Sequence, residues 1–437
     1  MFLNLLRNNT IYGTRATDVT FGTTGKSNQR ASLTGMSQAS LALSNLRGLI
    51  IVIVLAFHSS LAYLASVPAQ SARFDQAPYT WQAFPIVDTH RWIGFDLFCA
   101  WQDVSLMAVM FLLSGLFVAP GLLRKGCWSF VTDRIWRIGL PFVLVILLLS
   151  PLALYPAYSV RTIDPSFVGF WEQWTSLPFW PTGPEWFLCV LLIMNMMAAG
   201  LYAMAPGYIK RLGRLAAWAC ERPIKFLAIL VTISLMAYVP LALAYSPWSW
   251  SSVGPFSLQL SRPAHYLTYF FAGLAVGQVG LNRGLLTSDG LFARHWFVWL
   301  GAAVVSFGAW AGLTSLTMPD WAKAHLTAQI AATVAYPVAC AAGCLFLLAI
   351  CLRFSRNHIR VLDSLSANAY AMYLVHYVFV VWLQYALLGS NLFPIVKVAI
   401  VLSCTLILSW ASSAAFNRFV LGAYTVPAKR AIGTVRD

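Results

Sequence analysis

Leu46-Arg47-Gly-Leu-Ile-Ile-Val-Ile-Val-Leu-Ala-Phe-His58-Ser-Ser-Leu-Ala-Tyr63 is a predominantly apolar run, long enough to cross a lipid bilayer as one helix. At about 3.6 residues per turn, Arg47 and His58 fall on one helix face, roughly 16 Å apart. Arg47 is therefore expected at one membrane edge and His58 near the midplane. A titratable side chain is costly at that depth, so His58 is a candidate functional residue. The alternative is a packing histidine that hydrogen-bonds a neighbouring helix.

The composition of the whole chain is that of a polytopic membrane protein. Of its 437 residues, 59% are hydrophobic and only 10% are charged, which is too apolar for a soluble domain of this size. The sequence therefore predicts an all-α bundle of about ten transmembrane helices. The apolar segments lie at about 46–67, 94–119, 138–160, 185–206, 224–245, 265–281, 296–316, 327–352, 368–388 and 394–416.

The distribution of positive charge predicts the topology. The formal net charge is +15, and most of the 29 Lys and Arg residues lie in the N-terminal tail, the C-terminal tail and alternate loops. The positive-inside rule then places both termini in the cytoplasm. The charge thus indicates anionic lipid headgroups rather than nucleic acid as the partner. We expect a disordered cytoplasmic tail at 1–40, a membrane domain at 41–416 and a cytoplasmic C-terminal tail at 417–437.

Three predicted helices carry polar groups at similar depth. Asp103 lies about nine residues into the second span, hence roughly 13 Å deep, and His376 lies near the middle of the ninth span, with Tyr373 one turn away. A buried acid beside a histidine fixes its tautomer and raises its basicity, as a general base requires. The alternative is a set of unrelated hydrogen bonds between packed helices.

Two further groups of residues lie at the predicted membrane surfaces. On the cytoplasmic side, Ser114 ends the second span, and Arg134 and Arg137 open the third, one turn apart. Together with Arg47 they form a set suited to binding phosphates, although ordinary anchoring at the membrane edge also explains such arginines. On the outer side, Glu185 opens the fourth span among aromatic residues that include Trp180 and Trp186. These aromatics fit either an interfacial belt or a platform for sugar rings.

The eight cysteines predict no disulfide framework, because none lies in a segment expected outside the membrane. Cys340, Cys344 and Cys351 share one helix face. Packing between helices explains them better than metal binding, so we predict no metal site.

Five short motifs, in this order along about residues 43–416, resemble the integral-membrane acyltransferase-3 family of O-acyltransferases. They are the Arg47–His58 pair, Phe111-Leu-Leu-Ser114-Gly115, Arg134 and Arg137 before Pro141, Glu185-Trp186-Phe187-Leu188, and Tyr370-Ala-Met-Tyr373-Leu-Val-His376-Tyr377. The segment Phe57–Tyr63 is also similar to the branch that succinylates periplasmic glucans. One position departs from the family pattern: many members have an acidic residue three positions before the arginine, where this chain has Ser44.

The resemblance implies a multi-pass enzyme of the inner (plasma) membrane. It would move an acyl group, acetyl or succinyl, from cytoplasmic acyl-CoA to a carbohydrate hydroxyl at the outer, periplasmic side. His58 is then the favoured catalytic residue. The expected catalytic set adds Arg47, Asp103 and Glu185, the donor-binding set is Arg134, Arg137 and Ser114, and the acceptor-binding set is Trp186, Trp180, Tyr373 and His376.

Two other classes of protein remain as alternatives. A proton-coupled secondary transporter of a polar or glycan-type solute would use His58 and Asp103 as a proton relay. Such transporters are commonly built from repeats, and the polar midplane groups here cluster in spans one, two and nine without that symmetry. A receptor or scaffold without turnover does not need the Arg47–His58 spacing at all.

Overall fold

The computed structural model describes residues 38–67, 70–71 and 73–425, which form a bundle of long helices with one small hairpin. Because apolar segments of this length satisfy their backbone hydrogen bonds internally only as helices, the long elements follow the apolar runs of the sequence. In chain order the elements are α1 (Gln38–Ser60), α2 (Ile93–Gly115), α3 (Val118–Lys125), α4 (Cys127–Arg134), α5 (Leu140–Leu144), α6 (Ser150–Ser159), α7 (Phe167–Thr175), α8 (Trp186–Met204), α9 (Tyr208–Cys220), α10 (Pro223–Tyr245), β1 (Trp250–Val253), β2 (Phe256–Gln259), α11 (Pro263–Val279), α12 (Leu291–Arg294), α13 (Trp296–Thr317), α14 (Leu326–Phe354), α15 (Arg360–Leu387) and α16 (Pro394–Thr425).

The predicted all-α membrane bundle is confirmed. Within the described residues, 9 helical segments are long and apolar enough to cross a membrane. The tenth predicted segment is α11, whose 17 residues extend about 25 Å, at the lower limit for a span. Residues 1–37 of the predicted N-terminal tail lie outside the described residues. At the other end, α16 continues to Thr425, beyond the predicted boundary at 416.

Glycines let α11 pack directly against the backbone of α2. A Cβ on Gly273 would lie 2.0 Å from the Leu112 carbonyl oxygen, and one on Gly277 equally close to that of Leu116. From the other side, a Cβ on Gly115 would lie 2.1 Å from the Phe270 carbonyl oxygen. Small residues four apart are the usual means of bringing membrane helices into such close contact. The glycine of the Ser114-Gly115 motif therefore has a packing role.

The third span is irregular where its arginines lie. Ile135–Gly139 and Val145–Leu149 are π-helical turns that flank Pro141, and Arg137 lies in the first of them. Proline lacks the N–H that an α-helical bond needs, and π-turns are frequent at functional sites. Neither turn was indicated by the apolar pattern of this segment.

The hairpin β1–β2 marks one end of the bundle, here called the hairpin end. The strands pair antiparallel from Trp250–Gln259 to Val253–Phe256, and Gly254 at the tip has a φ of 54°, which favours glycine. The Trp180 N–H donates to the Gly254 carbonyl at 2.9 Å, so the hairpin also holds the loop before α8. The opposite end carries Arg47 and the segment 117–137, and is called the arginine end.

A buried ion pair joins the loop after α1 to α16. The Lys397 ammonium lies 2.6 Å from an Asp88 carboxylate oxygen, and the two side chains are 0% and 2% exposed. The other oxygen of Asp88 accepts the His90 N–H at 2.8 Å. Lys397 lies within the tenth predicted apolar segment, 394–416, and the pair explains how a cation is accommodated there.

Candidate active site

The two midplane histidines meet between α1 and α15. His376 Nε2 lies 3.3 Å from His58 Nδ1, and the two ring centroids are 5.0 Å apart. His58 Nδ1 also lies 2.9 Å from the Val54 carbonyl oxygen, and His376 Nδ1 lies 2.7 Å from the Tyr373 carbonyl oxygen. The equal depths predicted for these histidines therefore correspond to a direct contact.

The hydrogen-bond partners assign the tautomers of both rings. A carbonyl oxygen only accepts, so Nδ1 of each histidine carries the hydrogen. The single Nδ1–H of His58 is then shared between the Val54 carbonyl at 2.9 Å and the acceptor His376 Nε2 at 3.3 Å, which leaves His58 Nε2 with an unprotonated lone pair. His376 is fully buried, whereas His58 is only half-buried. His58 is thus the more exposed of the two rings, and its Nε2 is the unprotonated nitrogen on that ring.

Other contacts between α1 and α15 fix the position of His58. The Gln384 amide donates to the carbonyl oxygens of His58 and Ser59 at 2.9 and 3.2 Å, at the end of α1. Nearer the arginine end, the Ser44 hydroxyl donates to the Ser366 hydroxyl at 2.9 Å.

Glu185 belongs to the surroundings of the histidine pair. It lies in the buried turn Gly183–Glu185 that begins the fourth span, and its side chain is 2% exposed. A Cβ on Gly183, whose φ is 53°, would lie 3.1 Å from the Tyr377 ring and 3.3 Å from Glu185 Oε2. The Tyr377 ring in turn lies 5.5 Å from the His58 ring, centroid to centroid. Glycine thus lets Glu185 and the tyrosine beside His58 approach one another.

Tyr373 links the same turn to the ninth span. Its hydroxyl donates to the Pro184 carbonyl, and its ring lies 5.7 Å from that of His376. Both Tyr373 and His376 are buried and bonded to protein groups. Their predicted direct contact with an acceptor stays a prediction.

Asp103 has a different partner from the one expected. Both of its carboxylate oxygens accept hydrogen bonds from the Arg262 guanidinium, at 2.6 and 2.7 Å. Arg262 is 2% exposed and stands immediately before α11. The histidine that we expected beside Asp103 is instead paired with His376. Of the two residues predicted at the depth of His58, His376 contacts it, whereas Asp103 binds Arg262.

A pocket at the hairpin end lies beside the Asp103–Arg262 pair. This hairpin pocket has a cavity volume of about 30 Å³ and is walled by the aromatic rings of Trp186, Trp250 and Tyr266. Trp186 directly follows Glu185 in the chain, so the pocket adjoins the turn beside the histidines. Trp180 lies outside the pocket lining and is 57% exposed.

The predicted donor-binding arginines gather at the arginine end against aromatic rings. The Arg47 guanidinium lies over Phe117 at 4.9 Å and that of Arg134 over Phe130 at 4.8 Å. Asp133 binds both Lys125 and Arg137 at 3.0 Å, so two cations share one carboxylate. The Ser114 hydroxyl donates to the Met110 carbonyl at 2.8 Å within its own helix. The charge of this end is strongly positive.

The cysteines and the remaining titratable groups are the other candidate metal ligands. Among the residues that the structure describes, no group of three His, Cys, Asp or Glu side chains is arranged to hold a metal ion. Cys340 lies 3.3 Å from His265 Nε2, and both side chains are buried between α11 and α14.

Sequence reasoning missed Arg262 as a site residue and missed Asp88 as the partner of Lys397. A signal for Arg262 existed, because Asp103 lies in an apolar span and needs a counter-charge. Few Lys or Arg residues lie in the loops predicted outside, and Arg262 directly precedes an apolar segment. An argument from charge pairing could therefore have predicted the role of Arg262.

Comparison with known proteins identifies the family. The family of acyltransferase domains known as acyltransferase-3 matches residues 40–414. The chain belongs to the acyltransferase-3 family. No curated protein and no solved structure matched the chain. The family match covers both histidines, Glu185, the Asp103–Arg262 pair and the arginine end, so the geometry described above is that of a multi-pass membrane acyltransferase.

Proposed function

We propose that this acyltransferase-3 protein moves an acetyl or succinyl group from acyl-CoA, bound at the arginine end, to a carbohydrate hydroxyl presented from the hairpin end. The two substrates would approach the histidine pair from opposite membrane surfaces. We further propose that the arginine end is cytoplasmic and the hairpin end periplasmic, in the inner membrane, which agrees with the distribution of positive charge in the loops.

The observation that carries this proposal is the hydrogen-bond chain from His58 through His376 to the Tyr373 carbonyl. It leaves His58 Nε2 unprotonated on the more exposed of the two rings, with that ring held through its Nδ1 side. This atom would take the proton of the acceptor hydroxyl as its oxygen attacks the thioester carbonyl. The carbon–sulfur bond then breaks, and the His58 imidazolium returns the proton to the CoA thiolate. The acceptor His376 Nε2 stabilises the imidazolium between these two steps.

The arginine end supports binding of the donor. Arg47, Arg134 and Arg137 are guanidinium groups suited to phosphate oxygens, and Asp133 neutralises only part of the local charge. The rings of Phe117 and Phe130 lie against the Arg47 and Arg134 guanidinium groups and hold them in place. Arg47 is on the same helix as His58, roughly 16 Å away, which suits a donor whose phosphates and thioester are far apart.

The hairpin pocket supports binding of a sugar. Trp186 and Trp250 offer apolar ring faces, and Gln259, Asp103 and Arg262 offer polar groups at its edge. An apolar wall with a few convergent polar groups is the usual composition of a small-molecule site. The aromatic residues at this end thus fit a carbohydrate platform better than a belt that merely faces lipid.

A proton-coupled transporter is less well supported. Its relay would join His58 to Asp103, but both oxygens of that carboxylate are engaged by Arg262. The contact partner of His58 is a second histidine, which suits proton transfer to and from a substrate.

The proposal is tested by the ester content of cell-surface carbohydrate. Surface polysaccharide and periplasmic glucans would be isolated from a strain that lacks the gene and from the same strain complemented with it. Mass spectrometry should show one class of glycan that loses O-linked acetyl or succinyl groups on deletion and regains them on complementation. Unchanged ester content in every glycan fraction would contradict the proposed acceptor class.

A further inference from the structure

The helix α9 lies along one membrane surface, at the arginine end. It follows the fourth span, which ends at Met204, and precedes the fifth, which begins at Pro223, so both of its ends are held at the same membrane level. The Cys127 thiol donates to the Ala199 carbonyl near the end of the fourth span, which places this level at the arginine end. With 13 residues, α9 extends about 20 Å, which is too short to cross a bilayer. It therefore runs in the plane of the membrane surface.

One face of α9 is fixed to the rest of the protein. Its buried residues recur every three or four positions. They are Ile209, Gly213, Ala216, Ala219 and Cys220. A Cβ on Gly213 would lie 2.5 Å from Gln278 Cγ, so the glycine brings α9 into close contact with α11. The Tyr208 hydroxyl donates to the Ala198 carbonyl at 3.0 Å and ties the beginning of α9 to α8. This packing fixes which face of α9 points away from the protein.

The outward face combines positive charge with large apolar side chains. Arg211, Arg214 and Trp218 follow one another at spacings of four and three residues or their multiples, so they share one side of the helix, with Leu215 beside them. Trp218 is 51% exposed and Leu215 is 49% exposed. The Lys225 ammonium, from the first turn of α10, lies 4.5 Å from the centre of the Trp218 ring. These five residues are here called the α9 surface.

The cations of the α9 surface are not neutralised by the chain itself. Among the described residues, no carboxylate forms an ion pair with Arg211, Arg214 or Lys225, whereas Lys125 and Arg137 at the same end share Asp133. The segment 207–225 carries five Lys or Arg residues and one Glu. The α9 surface therefore attracts an anion.

The apolar side chains of the α9 surface indicate which kind of anion binds there. Trp218 and Leu215 point away from the protein at membrane level, where such side chains lie between the headgroups and the acyl chains of the lipids. Guanidinium groups bind phosphate oxygens through paired hydrogen bonds. A partner that offers a phosphate and an apolar chain side by side satisfies both halves of this surface.

We propose that the α9 surface is a binding site for an anionic phospholipid. Arg211 and Arg214 donate to the phosphate, Lys225 adds a third positive charge, and the acyl chains lie against Leu215 and Trp218. Because α9 connects the fourth and fifth spans and packs on α11, a lipid bound only by the folded chain stabilises this part of the bundle. The lipid site is separate from the substrates proposed above and does not depend on acyl transfer.

The test is the lipid preference of the purified protein. Protein in detergent is titrated with phosphatidylglycerol, and separately with phosphatidylcholine of the same acyl chains, and native mass spectrometry resolves the lipids bound. The first phosphatidylglycerol should bind at least about tenfold more tightly than phosphatidylcholine, because each cation near the surface adds to its attraction. Equal affinity for the two lipids would overturn the proposal.

The combined variant Arg211→Gln, Arg214→Gln and Lys225→Gln removes the three cations and keeps the apolar side chains. It should bind the first phosphatidylglycerol at least about tenfold more weakly than the wild type and bind phosphatidylcholine as before. In nanodiscs, phosphatidylglycerol should raise the unfolding temperature of the wild type and not that of the variant. An unchanged lipid preference in the variant would overturn the assignment.

The charge-matched control replaces three other exposed arginines at the same end, Arg283→Gln, Arg294→Gln and Arg360→Gln. It has the same net charge as the first variant, and it should keep the wild-type preference for phosphatidylglycerol. An equal loss in both variants would show that net charge alone decides binding, and the α9 site would be overturned.

Glu221→Gln probes the same surface in the opposite direction. Glu221 is exposed directly after α9 and is the single acid of the segment 207–225, so its neutralisation should tighten phosphatidylglycerol binding about two- to fivefold. Unchanged or weaker binding would contradict the proposal. Coenzyme A alone distinguishes the other source of phosphate. If the combined variant bound coenzyme A tenfold more weakly but phosphatidylglycerol as before, the α9 surface would belong to the donor and the lipid site would be overturned.

Discussion

Replacement of His376 by leucine should slow acyl transfer without weakening substrate binding. The variant removes the acceptor Nε2, 3.3 Å from His58 Nδ1, and leaves that N–H with the Val54 carbonyl alone. A hydrogen bond is worth about 0.5–1.5 kcal/mol between neutral groups and about 1.5–3 kcal/mol when one group is charged. The bond to His376 is therefore stronger by roughly 1–1.5 kcal/mol once His58 has become an imidazolium. Only this difference raises the activation barrier when the bond is lost. At about 1.4 kcal/mol per tenfold, kcat should fall roughly 5- to 13-fold.

The assay is transfer from radiolabelled acyl-CoA to glycan isolated from the deletion strain, with protein purified in nanodiscs. KM for both substrates should stay near the wild-type value if His376 acts through His58, because its two ring nitrogens bond to His58 and to the Tyr373 carbonyl; a raised KM for the acceptor would instead support the predicted direct contact. His376→Gln is the matched variant: its amide retains an acceptor for His58 and a donor for the Tyr373 carbonyl, so it should recover much of the rate. An unchanged kcat in the leucine variant, with normal thermal unfolding, would refute the role assigned to the histidine pair.

Three further predictions address other parts of the molecule. Arg134→Gln combined with Arg137→Gln should raise KM for acyl-CoA at least tenfold, because charge-assisted phosphate contacts are worth about 1.5–3 kcal/mol each, and an unchanged KM would reduce these arginines to anchors. Lys397→Met should destabilise the fold by about 3–5 kcal/mol, because the buried carboxylate of Asp88 loses its cation. Adding Asp88→Asn to the same chain should restore most of the lost unfolding temperature, and equal losses in the single and double variants would contradict this. A reporter inserted after position 170 should be periplasmic, and a cytoplasmic signal there would reverse the proposed orientation of the two ends.

The sequence predicted the helices well because membrane spans depend on one-dimensional apolar runs. The helix that carries His58 needed only length and hydropathy to be found, and counting turns brought His58 and His376 to the same depth. The direct contact between the two histidines follows from helix neighbours that no local pattern specifies. The observed α1–α15 packing supplies that information.

The polar partners were harder to predict because each joins residues that are far apart in sequence. Asp103 and Arg262 are separated by 159 positions, and Asp88 and Lys397 by 309. Counting turns placed Asp103 at the depth of His58. Several helices pass through that depth, however, and the Asp103 carboxylate contacts a partner on only one of its neighbours. The hairpin that carries Trp250 was missed because its two strands are only 4 residues each and contain no strong alternation.

The central claim is that His58 acts as a base, and His58→Gln tests it most directly. Glutamine keeps approximate size and hydrogen bonding but cannot take up a proton at the working pH. A general base typically contributes about 10²–10⁴-fold, so the rate of ester transfer should fall by at least about 100-fold. Thermal unfolding and acyl-CoA binding should remain those of the wild type. Transfer by His58→Gln at close to the wild-type rate would contradict the account, since His58 would then only pack between α1 and α15.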